Sequence, residues 1–204
     1  NNNGTKIYTA GYCFNSVTEN YDIQILKYQD DGSGGFLVWH REYDNGVSKN
    51  DKGYGITIDA NENIYVCGSV TNSNNTTDYV VLKYNSAGDL DPNSGKYPMT
   101  GNEVATDILI DNSYVYVMGY MDEPAVGLGD PTKDAMLLTY NTSLLNPVTT
   151  IVDLPGSTEI PTSFIIAETA PNSIPPSVSK MGIGGIQDKL VSREWDKNYF
   201  IAYF

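Results

Sequence analysis

Asp78-Tyr79-Val80-Val81-Leu82-Lys83-Tyr84 opens on an acid, runs through β-branched, aromatic and aliphatic side chains, and closes on Lys-Tyr. The same box is written three more times, as Asp22-Ile23-Gln24-Ile25-Leu26-Lys27-Tyr28, Asp134-Ala135-Met136-Leu137-Leu138-Thr139-Tyr140 and Asn198-Tyr199-Phe200-Ile201-Ala202-Tyr203-Phe204. Successive copies start 56, 56 and 64 residues apart. A fixed long period of this kind points to a repeat architecture and has to be read before any single-residue motif.

Ahead of each box stands a second element: Ile7-Tyr8-Thr9-Ala10-Gly11, Ile64-Tyr65-Val66-Cys67-Gly68, Val115-Tyr116-Val117-Met118-Gly119 and a looser Met181-Gly182-Ile183-Gly184-Gly185. A third element precedes the second in the later copies, at Tyr54–Asp59, Ala105–Asp111 and Thr162–Ala167. A fourth follows the box, clearest at Phe36–Tyr43 and weaker at Lys96–Met99 and Pro147–Val152. All are short, rich in β-branched and aromatic residues, and bounded by Gly, Asn, Asp and Pro, which predicts strands and no helix. Proline in or beside the fourth element places it at a sheet edge, where a missing N–H removes no ladder bond. Asp59-Ala60-Asn61-Glu62-Asn63 and Asp111-Asn112-Ser113 predict Asx-closed hairpin turns between the first two strands. Gly11, Gly68, Gly119 and Gly185 end the second strand, where a close backbone approach excludes a Cβ.

Four antiparallel strands per unit of 50 to 60 residues predict an all-β fold, a β-propeller of four-stranded blades. The chain is expected to form one domain over residues 1–204, with blades near 1–46, 47–101, 102–158 and 159–204. The count is about four blades and 14 strands, three, four, four and three per blade, which suggests part of a larger toroid. The order of strand, Asn/Gly turn, Ile-Tyr-Val-x-Gly, variable loop, Asp-Tyr-Val-Val-Leu-Lys-Tyr and Trp-containing strand resembles the bacterial β-propeller repeat called the SBBP repeat, best over Gly53 to Gly88. The resemblance implies a secreted or surface protein of Bacteroidota or other Gram-negative bacteria. It implies no activity, because propellers host many functions.

Composition narrows the classes. Lys plus Arg total 12 against 25 Asp plus Glu, a formal charge of −13, and that field repels nucleic acid and anionic lipid. Sixteen Tyr and many Val and Ile supply a core, so disorder is not expected. Apolar runs last a few residues, far short of the roughly 20 of a membrane-spanning helix, so no direct membrane span is expected. Asn1-Asn2-Asn3-Gly4 lacks the pattern of an export signal, which is expected to be removed or to lie elsewhere. Cys13 and Cys67 show no metal-ligand spacing and read as two thiols.

No catalytic set converges in the sequence. His40 is the single histidine, on an outer strand with no nucleophile motif, and reads as an outward polar residue. Asp22, Asp78 and Asp134, with Asn198 in the fourth copy, recur once per unit, as turn-forming and capping residues do. A catalytic acid is needed once and would break the repeat. Asp89, Asp91 and Asn93 alternate as calcium ligands do, but the glycine comes late and no bidentate Glu follows, so an ordinary loop is expected, with calcium as the alternative. Tyr12 and Tyr120 open the loops between second and third strands and are the candidate ligand-face residues. These loops, Phe14–Tyr21, Val70–Thr77, Met121–Lys133 and Gln187–Lys197, are expected on one face, where recognition usually sits.

The function expected is a non-catalytic module, extracellular, cell-surface or periplasmic, holding a protein partner in an envelope complex or the rest of a larger propeller, without cofactor. A carbohydrate-binding or carbohydrate-active propeller and a structural spacer are the alternatives.

Overall fold

A computed structural model describes residues 4–32, 34–99, 101–111, 113–122, 132–152, 157–167, 180–191 and 194–203. They form 14 strands in four antiparallel sheets. The first sheet is β1 (Thr5–Asn15), β2 (Asn20–Asp30) and β3 (Gly35–Tyr43). The second is β4 (Asp51–Ile58), β5 (Ile64–Thr71), β6 (Thr77–Tyr84) and β7 (Gly95–Tyr97). The third is β8 (Glu103–Ile110), β9 (Tyr114–Asp122), β10 (Lys133–Asn141) and β11 (Val148–Val152). The fourth is β12 (Ser157–Ala167), β13 (Lys180–Val191) and β14 (Glu194–Tyr203). Each sheet is a meander in chain order, and the short β7 and β11 lie on its outer edge.

The second sheet shows why the boxes read as unbroken apolar runs. Its even-numbered Ile64, Val66, Val80 and Leu82 pack on Ile23, Ile25 and Trp39 of the first sheet. Its odd-numbered Tyr65, Cys67, Tyr79 and Val81 pack on Ala105, Val117, Met136 and Leu138 of the third. With both faces covered, the alternation of a half-exposed strand disappears. Among the described residues, extensive contact between sheets joins only sequence neighbours, with the inner strands β4, β8 and β12 each laid against the preceding sheet.

The inner strands share one irregularity. The ladder shifts by a residue between Gly53 and Gly55, between Ala105 and Asp107, and between Pro161 and Ser163. Each bulge begins opposite the second-strand glycine, pairing Gly53 with Gly68, Ala105 with Gly119 and Pro161 with Gly185. A Cβ on Gly68 would overlap the Lys52 carbonyl and stand 3.0 Å from Gly53 Cα; one on Gly119 would overlap the Val104 carbonyl and stand 2.7 Å from Ala105 Cα. The recurring glycine thus makes room for the bulge.

The turns close as expected. Asp59 Oδ1 accepts the amides of Asn61 and Asn63, and Asp111 Oδ1 accepts those of Ser113 and Tyr114. Tyr65 and Tyr116 donate their hydroxyls back to Asp59 and Asp111, at 3.3 and 3.1 Å. The box lysines bind the sheets together. Lys27 Nζ donates to the Ser86 carbonyl and Lys83 Nζ to the Thr142 carbonyl, both at 2.8 Å, each reaching a turn of the following sheet.

One expectation needs correction. Gln187–Lys197 is mostly ladder, since β13 runs to Val191 and β14 starts at Glu194. The register sets Asp188 opposite Lys197 and Lys189 opposite Asp196. The fourth sheet starts at Ser157. The Pro-rich stretch 170–176 lies outside the described residues.

Candidate interaction site

Period-two alternation on β1 sends Tyr8, Ala10, Tyr12 and Phe14 to the face that meets the second sheet. Tyr8 and Ala10 join the core between the two sheets. Tyr12 and Phe14 lie beyond the cover of that sheet and are 47% and 57% exposed. The β1–β2 register sets Tyr21 opposite Phe14, and their rings meet edge-on at 5.5 Å. Tyr12 meets Tyr21 at 5.5 Å and 89°, and Tyr54, the bulge residue of β4, lies 6.4 Å from Tyr12. Lys52 Nζ stands 5.1 Å from the Tyr12 ring centre and 5.5 Å from that of Tyr21. Val17, in the adjoining turn, extends the apolar surface.

These rings are exposed, edge-packed and held by an ammonium over their faces, a geometry suited to docking an apolar or planar group. Each member also differs from a neighbouring copy, although Tyr12 has a counterpart in Tyr120 of the third. Tyr12, Phe14 and Tyr21 stand where the second copy has Ser69, Thr71 and Thr77, and Tyr54 stands where the third has Thr106. Of the cluster, Tyr12 was legible in the sequence. Phe14, Tyr21 and Tyr54 were not, although this aromatic-for-hydroxyl substitution was the signal that could have found them.

Tyr120, the other candidate, is not part of the cluster. It lies half-buried on β9 with Lys133 Nζ 4.5 Å from its ring centre, and Lys133 also pairs with Asp122. Most of the Met121–Lys133 loop, 123–131, is outside the described residues. Asp89, Asp91 and Asn93 form turn and inter-sheet contacts. Asp89 accepts the Asn85 side-chain amide, Asp91 accepts the Asn93 backbone amide and lies 3.6 Å from Lys83, and Asn93 donates to the Ser143 carbonyl. No group of three His, Cys, Asp or Glu is placed to hold a metal among the described residues. His40 is exposed on β3, 3.1 Å from Glu42 and 3.2 Å from Gln24. Cys13 and Cys67 are free thiols in different sheets; burial pushes the Cys67 thiol far up.

The recurring acids are buried at the start of the third strand. Asp22 accepts Asn15 Nδ2 and Asp78 accepts Asn72 Nδ2, both at 2.8 Å, and Lys96 lies 3.4 Å from Asp78. Asp134 is buried in the same place on β10, and Asn198 pairs with Gln187 in the fourth sheet. A second row of acids was missed in the sequence. Asp51 and Glu103, fully buried, each sit two residues before the bulge, as Glu159 does in the fourth sheet. Burial pushes Asp51 up to about 6, with Asp44 and Asp22 adding to the shift and the amides of Asn45 and Thr71 opposing it. Burial, with Asp78 and Asp122 nearby, pushes Glu103 up to about 7. The Met99 amide approaches Glu103 closely enough to oppose that shift, yet neither carboxyl oxygen has a partner in hydrogen-bond geometry. Beside each acid an asparagine crosses to the preceding sheet: Asn50 Oδ1 accepts the Tyr21 amide and Asn102 Oδ1 the Thr77 amide.

No curated protein matches the chain. A family model, the SBBP beta-propeller repeat, matches residues 38–75, a stretch that runs from the outer strand of the first sheet through β4 and β5. Residues 38–75 therefore match a beta-propeller repeat of the SBBP type, set where two adjoining sheets meet.

Proposed function

We propose that this chain is a non-catalytic propeller module that holds a protein partner in a bacterial cell-surface or periplasmic assembly, with the four sheets as successive blades. The carrying observation is the Tyr12, Phe14, Tyr21 and Tyr54 cluster. The second copy has Ser69, Thr71 and Thr77 where the first has Tyr12, Phe14 and Tyr21, and the third has Thr106 where the second has Tyr54, so the repeat does not need rings at these places. Four exposed aromatic rings in mutual contact are a large contact area with little side-chain entropy to lose, the composition of interface anchors. Lys52 adds one positive charge to that surface, which favours a partner presenting carboxylates or carbonyls beside apolar side chains.

The test places a photo-crosslinking amino acid at Phe14 in cells of the source organism. One dominant protein adduct, lost when Tyr12→Ser and Tyr21→Ser are combined in a chain that still folds, is the expected result. Adducts that ignore the two substitutions would overturn the reading. Ring-dependent binding on a glycan array without any protein adduct would move it to the carbohydrate alternative.

A further inference from the structure

Lys96 Nζ donates to Asn72 Oδ1 at 2.6 Å and lies 3.4 Å from Asp78 Oδ2. Asp78 Oδ1 in turn accepts Asn72 Nδ2 at 2.8 Å. An amine, a carboxamide and a carboxylate therefore stand in mutual contact, brought together from β7, the turn after β5 and the start of β6. The Asn72 backbone amide donates to the Thr76 carbonyl at 2.8 Å, and Nδ2 donates a second time, to the Thr76 hydroxyl at 3.1 Å, which fixes the orientation of the carboxamide. Asp78 is buried, and Lys96 is set on its strand opposite Val80. The repeat shows which part of this arrangement is structural. Asn15 follows Gly11 at the spacing at which Asn72 follows Gly68, and Asn15 Nδ2 donates to Asp22 at the same 2.8 Å. The Asn–Asp bond is thus a joint of the turn. The lysine is not. Val80 faces Lys96, whereas its counterparts Gln24 and Met136 face Glu42 and Ile151, so packing of the turn does not call for an amine at this place.

We propose that Lys96 and Asn72 join as an intramolecular isopeptide, with Asp78 carrying the proton, and that this cross-link fastens the outer strand β7 to the turn between β5 and β6. Asp78 takes a proton from the Lys96 ammonium and frees the amine. Nζ adds to Asn72 Cγ, which lies one carbonyl bond, about 1.2 Å, beyond the oxygen that Nζ already touches. The Nζ–Cγ bond forms, Asp78 passes its proton to Nδ2, and the Cγ–Nδ2 bond breaks. Of the three protons on the lysine ammonium, one stays on the new amide and two leave with Nδ2 as an ammonium ion. One amide replaces another, so no oxidant or energy source enters, and escape of ammonium to solvent beside the exposed Lys96 makes the step one-way. Contact held by the fold supplies the effective concentration that the free groups lack. Strand β7 is only three residues long, so a covalent link holds there what few main-chain bonds hold weakly. This inference uses none of the residues of the aromatic cluster and stands or falls apart from the partner proposed for it.

The test is the intact mass of the full chain, purified folded and then denatured, followed by mass-spectrometric sequencing of its proteolytic peptides. The expected result is a mass lower by one ammonia, about 17 Da, with the peptides of Asn72 and Lys96 recovered as a branched pair. Lys96→Arg, which keeps a cation beside Asp78 without the amine, is expected to show the full mass of its sequence, and its exposed position leaves the fold intact. Asp78→Asn is expected to lose the branched pair while amide exchange in β5 and β6 shows that the sheet still forms. A folded chain in which the pair is absent after prolonged incubation at alkaline pH would overturn the proposal, whatever the total mass, because an asparagine that closes on its own backbone loses the same ammonia. A pair that forms undiminished in Asp78→Asn would overturn the role of Asp78. Loss of one water, about 18 Da, with Lys96 joined to Asp78 would overturn Asn72 as the acceptor.

Discussion

The contrast between Gly119 and Gly11 yields a prediction whose size can be worked out from the contacts. A methyl group on Gly119 would overlap the Val104 carbonyl oxygen and the Tyr79 hydroxyl, and would lie 2.7 Å from Ala105 Cα, where carbon atoms normally rest about 3.5 to 4 Å apart. Neither backbone atom can swing aside, so β8 must retreat by about 1 Å, which weakens the ladder around the bulge at about 1 kcal/mol per bond. Tyr79 is fully buried and donates to the Met136 carbonyl at 3.2 Å; shifting it adds the overpacking cost, about 1–3 kcal/mol. Gly119→Ala should therefore cost about 3–5 kcal/mol, a large part of the roughly 5–15 kcal/mol that holds a domain together. Gly11→Ala meets no atom and has no left-handed backbone to strain, so it should be neutral or stabilise by up to about 1 kcal/mol through the unfolded chain. Urea unfolding of both variants, read as midpoint and slope, measures the difference. Equal losses for the two substitutions would refute the claim that the glycine exists to admit the bulge.

The buried acids make stability depend on pH in an unusual direction. Asp51 and Glu103 are raised to about 6 and about 7 in the folded chain, so their contribution is complete below the unfolded carboxylate values near 4 and is lost as pH rises through 6 and 7. The melting temperature should fall from pH 5 to pH 8, and Glu103→Gln should raise it at pH 8 and flatten the profile; a melting temperature that climbs over this range would contradict the assignment. Lys83→Ala removes a 2.8 Å charge-assisted bond to the Thr142 carbonyl and a cation over the Tyr65 ring, and should cost about 1.5–3 kcal/mol by denaturant titration. Lys83→Met, which keeps the apolar stem, should recover part of that loss; equal instability of the two variants would place the whole effect in the ammonium's contacts, and full recovery by Met would place it in packing alone. A thiol reagent added to the native chain should label the half-exposed Cys13 and leave the fully buried Cys67 until unfolding, a pattern that mass spectrometry of the adducts resolves.

The strands were legible in the sequence because burial on both faces writes them as apolar runs, and the turns because Asp59 and Asp111 carry their own chemistry. Strand starts were less legible. The sequence reading opened the inner strands at Tyr54, Ala105 and Thr162, whereas the ladders begin at Asp51, Glu103 and Ser157. Asp, Glu, Lys and Gly are poor strand formers, so propensity cut off the end that carries the acids. The role of Lys83 was hidden for a different reason: its acceptor is 59 residues away, in a turn of another sheet. The cluster fell between these cases. Each ring is unremarkable as a local residue, and only a comparison with a neighbouring copy shows hydroxyl positions turned aromatic at one junction: Ser69, Thr71 and Thr77 against Tyr12, Phe14 and Tyr21, and Thr106 against Tyr54.

That superposition also separates two uses of the same residue types. Tyr65 and Tyr116 recur, are buried and donate to an aspartate of their own turn, so the repeat itself explains them. Tyr12 and Tyr54 do not recur in the neighbouring copy, are exposed and have ring and cation neighbours in place of a hydroxyl partner. Packing between sheets explains the first pair completely and leaves the second without a structural task. The acids divide in the opposite sense. Asp51 and Glu103 recur and are buried, at a cost that Asn50 and Asn102 offset beside them by bonding the preceding sheet. Recurrence with burial therefore marks the joints of this array, and departure from the repeat with exposure marks the surface proposed to take a partner.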